Sequence, residues 1–494
     1  MSELNNSNTN LLEGLGEHSQ SYWQKAWMRF RRHPFARWAS VVLLILYSLA
    51  LFADFVGPYP EAKSFRKLQF VPPTKVYFKT DDGKWTRPYV CKVERTRNKR
   101  TFKLEFKENC DEKFTIRFIV HGFPYKFLGF IPMDLHLLGG PWLTEEKAYL
   151  FLWGTDDFGR DMFSRIWFGA RISLTIGILA TIVALIIGIT MGGISGYYAG
   201  TRVHIIRGFF RSPFKSSAMV IESDSGDVKG LFGSGALAEG WREAVHEQRV
   251  PAFLAGLVLQ YAFWAAAAAI LLSTMQGFLS ITSGLERILA IAVFGGILGV
   301  MLWMLLFGRL AIDVDDLIMR TTEILAAIPG LFLLIILSGM LAQYDMPSST
   351  RFLLVLTILA FVGWGGLARN IRGFVLQLRE MEYAQAAKAL GAGDIRVLFR
   401  HIIPGTLGYL IVVASLAIPG YILAESGLSF LGLGIQEPSS SWGLLLSKAQ
   451  QIGISAIKQR PWLFIPGFFI FVSILTYNYL GDALRDALDP RAEH

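Results

Sequence analysis

Glu380-Met-Glu-Tyr-Ala-Gln-Ala-Ala-Lys-Ala-Leu-Gly391, then Ala-Gly-Asp394 and Ile395–Ile403 before Pro404, stands between two uncharged apolar blocks, Phe352–Ala368 and Leu407–Ala424. Residues 380–390 are strong helix formers. Gly391 or Gly393 suits a left-handed helix stop, Asp394 suits the N-cap of a second helix, and Pro404 is placed to end it. The stretch reads as a short helix, a glycine break and a second short helix at a membrane surface. Tyr383, Ala386, Ala387 and Leu390 fall on one narrow apolar face. Such a face either enters a groove on a partner protein or lies on lipid.

The flanking blocks are two of several. A crossing helix needs about 20 mostly apolar residues, and segments of that kind are Ala36–Val56, Ile172–Ile194, Ala252–Leu272, Ile288–Gly308, Ile324–Ala342, Phe352–Ala368, Leu407–Ala424 and Trp462–Leu480. Ile324–Ala342 and Phe352–Ala368 are joined by a short loop containing Pro347, which predicts a tight helical hairpin. Basic residues near span ends mark the cytoplasmic side. Lys25, Arg29, Arg31, Arg32 and Arg37 precede the first span, Arg202, Arg207, Arg211 and Lys215 follow the second, and Arg369, Arg372, Arg379, Lys388, Arg396 and Arg400 lie between the sixth and seventh. With eight crossings all three clusters are cytoplasmic, and so are both termini. The first span reads as an uncleaved anchor, because no signal-peptide pattern precedes it.

Composition agrees. Of 494 residues, 52% are hydrophobic and 18% charged, against about 25% charged in soluble proteins. Disorder, collagen and coiled coil are excluded. The net charge of +9 is topology signal plus one long basic loop, so it does not indicate nucleic-acid binding. The chain divides into a tail (1–35), the first span (36–56), an insertion (57–150), an amphipathic segment with the second span (151–200), a second insertion (201–313) and a core (314–494) carrying the 380–404 elbow.

The 57–150 insertion is assigned to the extracytoplasmic side. Its runs Lys75–Phe78, Phe102–Phe106 and Phe114–Phe118 alternate like half-buried strands. Both cysteines of the chain, Cys91 and Cys110, lie here. A hairpin turning near Asn98-Lys99-Arg100 brings them opposite each other, which predicts a disulfide in an oxidising compartment; the alternative is two separate buried thiols. In the 201–313 insertion, Ala252–Leu272 and Ile288–Gly308 are read as two crossings, with a re-entrant hairpin as the alternative.

The spans carry little titratable chemistry. Glu323 and Glu425 sit near span ends, where they snorkel or pair. No GxxxxGK[ST] loop is present, nor HExxH, nor GxSxG. The residues therefore give no catalytic group, no metal site and no cofactor. Gly188, Gly192, Gly196 and Gly200 recur every four residues, a row that allows close helix approach and serves either packing or a mobile, pore-facing role.

The Glu-Tyr-x-x-Ala-Ala-x-Ala-Leu-Gly core (Glu382–Gly391) and the His401-Ile-Ile-Pro404 ending resemble the signature of one family: the inner-membrane permease subunits of ABC importers for dipeptides, oligopeptides and nickel. Gln385 stands where that signature has an acid, and His401 and Ile403 where it has Ile and Leu. Gly154-Thr-Asp-Asp-Phe-Gly-Arg-Asp161 with Gly169–Leu174, Asp316–Arg320 with Ile328-Pro329, Glu425–Gly434 with Ser441-Trp442-Gly443, and Asn478–Asp482 with Leu484–Arg491 resemble further family segments, in the family's order.

The resemblance implies an all-α polytopic membrane protein with the type I ABC importer permease fold. It has a core of six spans, here with an extra hairpin and a small β-rich extracytoplasmic domain. It implies a bacterial inner-membrane permease that is not itself an enzyme, since ATP and Mg belong to partner ATPases. The implied partners are a second homologous permease, two cytoplasmic ABC ATPase subunits and an extracytoplasmic substrate-binding protein. The elbow then becomes the coupling helix, with Glu382, Tyr383, Gln385, Ala386, Ala387, Leu390, Gly391, Asp394 and Pro404 as its residues. Rival readings are an ATPase-independent secondary transporter, which wants a mid-membrane carboxylate or an inverted repeat, and a non-transporting scaffold.

Overall fold

The computed structural model describes residues 22–79, 84–97, 104–127, 129–200, 202–207, scattered positions between 245 and 276, 285–307, 309–342, 344, 346–453 and 458–489. The chain forms two units, 1–193 with 322–494, and 194–321.

In the first unit α1 (Tyr22–Arg32) leads into α2 (Pro34–Leu51), then the one-turn α3 (Ala53–Val56). After the β-rich insertion come α4 (Pro141–Thr144) and α5 (Met162–Tyr197), whose last residues belong to the second unit. Five helical runs among the described residues are long and apolar enough to cross a bilayer: Pro34–Leu51, Met162–Tyr197, Ser348–Leu378, Asp394–Phe430 and Pro461–Leu488. A sixth exists if α7 (Val314–Ala327) and α8 (Gly330–Ala342) count together.

One expected span takes a different form. Ile324–Ala342 is not one helix: the chain bends by 85° between α7 and α8. Pro329 lies in the break. It has no N–H for the helix ladder and pushes Ile328 out of the helical region. The expected hairpin survives as α8 packed on α9 (Ser348–Leu378). Of the two blocks in the second insertion, Ile288–Gly308 falls on α6 (Leu285–Phe307), while Ala252–Leu272 lies partly outside the described residues.

The core of the first unit lies where α5 meets α2, α12 (Leu407–Phe430), α13 (Trp442–Gln451) and α14 (Ile465–Leu488). Leu46, Ile166, Leu174, Ile422, Trp442 and Tyr477 are buried there together. A second cluster joins α5 to α8, α9 and α12 through Ile176, Leu334, Leu359 and Leu428. The glycine row divides. A Cβ at Gly188 would meet the Leu367 side chain, and one at Gly192 the backbone of Ala368, so these two glycines are what lets α5 and α9 touch. Gly196 is in the last turn of α5, and Gly200 lies beyond the helix with φ +85°. The row is thus not one continuous packing face.

The insertion after α3 is β-rich. β1 (Tyr77–Lys79), β2 (Trp85–Arg97) and β3 (Leu104–Thr115) form an antiparallel sheet, and β4 (Arg117–Phe127) pairs with β5 (Ile131–Gly139). Their apolar faces close over Tyr59, Val71, Val90, Ile116, Trp142 and Phe151. Cys91 and Cys110 are joined, with Cα atoms 4.7 Å apart. They are not register partners: the ladder runs from Arg97↔Leu104 to Lys92↔Asn109, then shifts to Cys91↔Lys113. Cys110 therefore sits in a bulge beside Cys91, and the turn at 98–100 lies outside the described residues. The bridge closes a loop of 19 residues of sequence, a constraint of roughly 3 kcal/mol on the unfolded segment. Cys110→Ser should accelerate amide exchange across β2 and β3 about 100-fold in hydrogen-exchange mass spectrometry, with the helices unaffected; unchanged protection would refute this.

The second unit closes on a feature the sequence did not suggest. β6 (Arg202–Arg207) and β7 (Arg309–Asp313) pair antiparallel, Arg202↔Asp313 to Arg207↔Arg309. Asp313 accepts from the Gly200 and Asp315 amides, and Ser195 Oγ donates to Asp315. The two ends of the insertion are thereby held together.

Candidate functional site

The elbow begins where α9 stops at Leu378. Met381 then caps α10 (Glu382–Ala389), its carbonyl accepting from the Ala384 and Gln385 amides. The end of α10 is a full Schellman stop: Gly391 N–H donates to Lys388 and Ala392 N–H to Ala387, with Gly391 at φ +83°. Gly391, not Gly393, takes the left-handed conformation. α11 (Asp394–Val397) follows, with Gly393 as its N-cap and Asp394 as its first residue, so the helix starts one position earlier than the sequence suggested.

Pro404 does not end the second helix. A π-turn (Leu398–Ile402) and a 3₁₀ turn (Ile403–Thr406) carry the chain straight into α12. Pro404 occupies the first turn of the 3₁₀ segment, where its missing N–H costs little. The second arm of the elbow is thus helically continuous with α12, while a turn at 379–381 joins the first arm to α9.

Ala384, Val397, Leu398 and Ile402 are buried and pin the elbow to the bundle. Its other surface is apolar and open: Tyr383 is 42% exposed, Leu390 89% and Ile395 70%. Glu382, Gln385, Ala386 and Asp394 are exposed beside them, and Ala387 is half-buried. Gln385 donates its side-chain amide to the Glu380 carbonyl, which ties it to the approach from α9. The helix brings Tyr383, Ala386 and Leu390 to one accessible face, as their spacing predicts.

A second constellation was not foreseen. Asp156 accepts from Arg160 Nε at 2.8 Å and from Arg165 Nη1. Arg160 forks onto Glu437, Nη2 to Oε1 at 2.7 Å and Nη1 to Oε2, and Arg165 Nη2 reaches Glu437 Oε2 at 3.0 Å. Arg165 Nε also donates to Ser440 Oγ. Two carboxylates and two guanidinium groups balance. Arg165 is 1% exposed, so the cluster is a neutral buried junction between the segment before α5 and the loop after α12. Burial works to raise the Glu437 carboxyl, but Arg160 and Arg165 outweigh it and hold it below its ordinary value. The signal in the sequence was an arginine at the edge of an apolar span, which demands a partner.

Glu425 also differs from its expected snorkelling. It is wholly buried on α12 and accepts from Ser173 Oγ on α5 and Ser429 Oγ on its own helix. Glu323 is exposed on α7.

Asp161, just before α5, accepts from the Ser164 amide and hydroxyl, while its other oxygen has no partner among the described residues. Burial pushes its carboxyl up to about 7, against those Ser164 hydrogen bonds. A folded pKa above the unfolded value of about 3.9 means the folded state holds the proton more tightly. That stabilisation is complete below about pH 4 and is lost as pH rises towards 7. Asp161→Asn should therefore flatten the pH dependence of the thermal midpoint between pH 5 and 7.5; an unchanged slope would contradict the assignment.

Comparison with known proteins bears on this architecture. The model of the binding-protein-dependent transport system inner membrane component matches residues 293–494, and that of the N-terminal TM domain of oligopeptide transport permease C matches 21–73. The dipeptide transport system permease protein DppC of Bacillus subtilis is 28% identical over 340 residues, 68% of each chain. The oligopeptide transport system permease proteins OppC of Haemophilus influenzae and Escherichia coli K12 are 43% and 42% identical over 36% of this chain. The aligned stretch spans 54% and 56% of those two relatives. The first match begins before α7 and contains the elbow; the second contains α2. The chain belongs to the inner-membrane permease subunits of ABC peptide importers.

Proposed function

We propose that the chain is the permease subunit of an ATP-driven importer of di- or oligopeptides. It lines the translocation path together with a second permease and takes its motion from cytoplasmic ATPases. The observation that carries this reading is the elbow: an apolar face held by a Schellman stop, joined to α9 by a short turn and to α12 without a loop, and open at Tyr383, Leu390 and Ile395. Large exposed apolar side chains on a firmly anchored helix mark a protein-docking surface. A push on α10 reaches α11 through the Schellman stop at Gly391, and the π and 3₁₀ turns then carry α11 into α12 without a loop. ATP then acts by binding better to one state of the ATPase dimer, and the spans follow.

The substrate class rests on the names of the relatives. The orientation, with both termini and the elbow cytoplasmic and the β-rich insertion outside, rests on the basic clusters. The elbow residues Glu382, Tyr383, Gln385, Ala386, Ala387, Leu390, Gly391 and Asp394 are assigned to docking, and Pro404 to the join with α12. ATP and Mg belong to the partner ATPases, and an extracytoplasmic binding protein delivers the peptide. Affinity purification of the chain from its native membrane, followed by mass spectrometry, tests this. The reading requires a co-purified ATPase with a Walker motif and a second permease; recovery of the chain with neither would overturn it.

A further inference from the structure

The β4–β5 hairpin ends in a tip that is unlike the rest of the insertion. Phe127 pairs with Ile131 across the turn, with Gly129 at φ +85°. Phe130 is 72% exposed and Ile131 40%. Exposed apolar residues alone say little about what covers them. Here the tip's position decides the matter.

Phe127 stacks on Phe52, the residue immediately after α2, with ring centroids 5.5 Å apart. Gly129 lines a cavity of about 350 Å³ whose other walls are Tyr47, Ala50 and Leu51 of α2 and Arg171, Leu174 and Thr175 of α5. Those walls belong to two helices long and apolar enough to cross a bilayer. Arg171 marks the polar level: its guanidinium donates to the Ala50 and Leu51 carbonyls and to Asp54. It thereby satisfies carbonyls at the open end of α2. Tyr47 and Leu174 lie one turn deeper along their helices. The hairpin tip is therefore level with the end of a membrane span, where aromatic side chains are favoured at the lipid interface. The bilayer-facing side of α2 runs up to it through Val41, Leu44, Ile45 and Leu51, all exposed.

We propose that Phe127 and Gly129–Ile131 form a membrane-seated tip, with Phe130 and Ile131 in the lipid interface and acyl chains filling the cavity between the tip, α2 and α5. The occupant is phospholipid because the cavity opens on the span surface and continues the exposed apolar face of α2. The insertion is then anchored to the bilayer at a second point, besides its covalent join to α3. This assignment is independent of the transport reading.

The chain's two cysteines are bonded to each other, so an introduced cysteine is labelled alone. Phe130→Cys and Ile131→Cys, each carrying the fluorophore NBD, are compared with Lys75→Cys at an exposed charged position. The full chain is reconstituted in vesicles of phosphatidylcholine with phosphatidylglycerol. NBD at 130 and 131 should emit to the blue of the Lys75 label. It should be quenched severalfold more by phosphatidylcholine spin-labelled near the headgroup, and severalfold less by aqueous iodide. Iodide quenching equal to that at 75 would overturn the proposal. So would shielding from both quenchers, which would place the tip under protein, a second copy included. A shared melting temperature with the unsubstituted chain confirms that the variants are folded.

Discussion

Gly391→Val is expected to lower coupled peptide uptake by roughly 5–30-fold, while the protein still assembles in the membrane. Gly391 sits at φ +83°, a conformation that costs an L-residue about 1–2 kcal/mol, and that range corresponds to roughly the stated factor. A β-branched residue is the worst candidate for it. Nothing lies within 4 Å of where a Cβ would stand, so the penalty is torsional and not a clash. The Schellman bonds from Gly391 to Lys388 and from Ala392 to Ala387 depend on that torsion. Without them α11 is aimed differently from α10, and the docking face no longer moves as one piece with α12. Uptake and peptide-stimulated ATP hydrolysis in proteoliposomes containing the partner subunits provide the readout. Gly391→Asn should retain most of the activity, because Asn tolerates the left-handed region. Wild-type uptake by the valine variant would remove the mechanical role of the stop.

The second large effect concerns stability. Arg165→Met leaves the buried Asp156 and the half-buried Glu437 with Arg160 as their remaining close cation. Removing one partner from a buried ionic cluster costs about 3–5 kcal/mol, because the remaining charge stays uncompensated. Arg165→Lys should recover little of it. An ammonium group cannot reproduce the planar fork that reaches Asp156, Glu437 and Ser440 at once. The measurement is thermal unfolding in detergent, supported by hydrogen exchange at the start of α5. A midpoint unchanged by Arg165→Met would mean the junction does not hold the loop after α12 to the segment before α5.

What the sequence showed depended on how local the determining physics was. Uncharged blocks such as Phe352–Ala368 and Leu407–Ala424 announced their helices, because burial in lipid needs only length and composition. A glycine stop at Gly391 or Gly393 was legible for the same reason: Ala-rich residues before it and a conformation few residues adopt. Breaks were harder. Pro329 interrupts an apolar block that composition alone reads as one span. Pro404 interrupts nothing, since it falls in a first turn where its N–H is not needed. Pairings distant in sequence left almost no trace. Arg160 and Glu437 are 277 residues apart, and β6 meets β7 across the whole second insertion. Glu425 was placed near a span end, to snorkel or pair, because nothing near it in sequence reveals that Ser173 lies opposite. The bulge at Cys110 is of the same kind: a register shift of the sheet, not a property of either cysteine.

The docking face on α10 is the centre of the account, and Leu390, its most exposed apolar residue, reports on it directly. Leu390→Cys carries the only free thiol in an otherwise disulfide-bonded chain, so it can be given a photoactivatable benzophenone in native membranes. Illumination should yield one adduct with a Walker-motif ATPase, and a membrane-impermeant thiol reagent should reach this cysteine only from the cytoplasmic side. Labelling from the opposite side, with no ATPase adduct, would contradict the account.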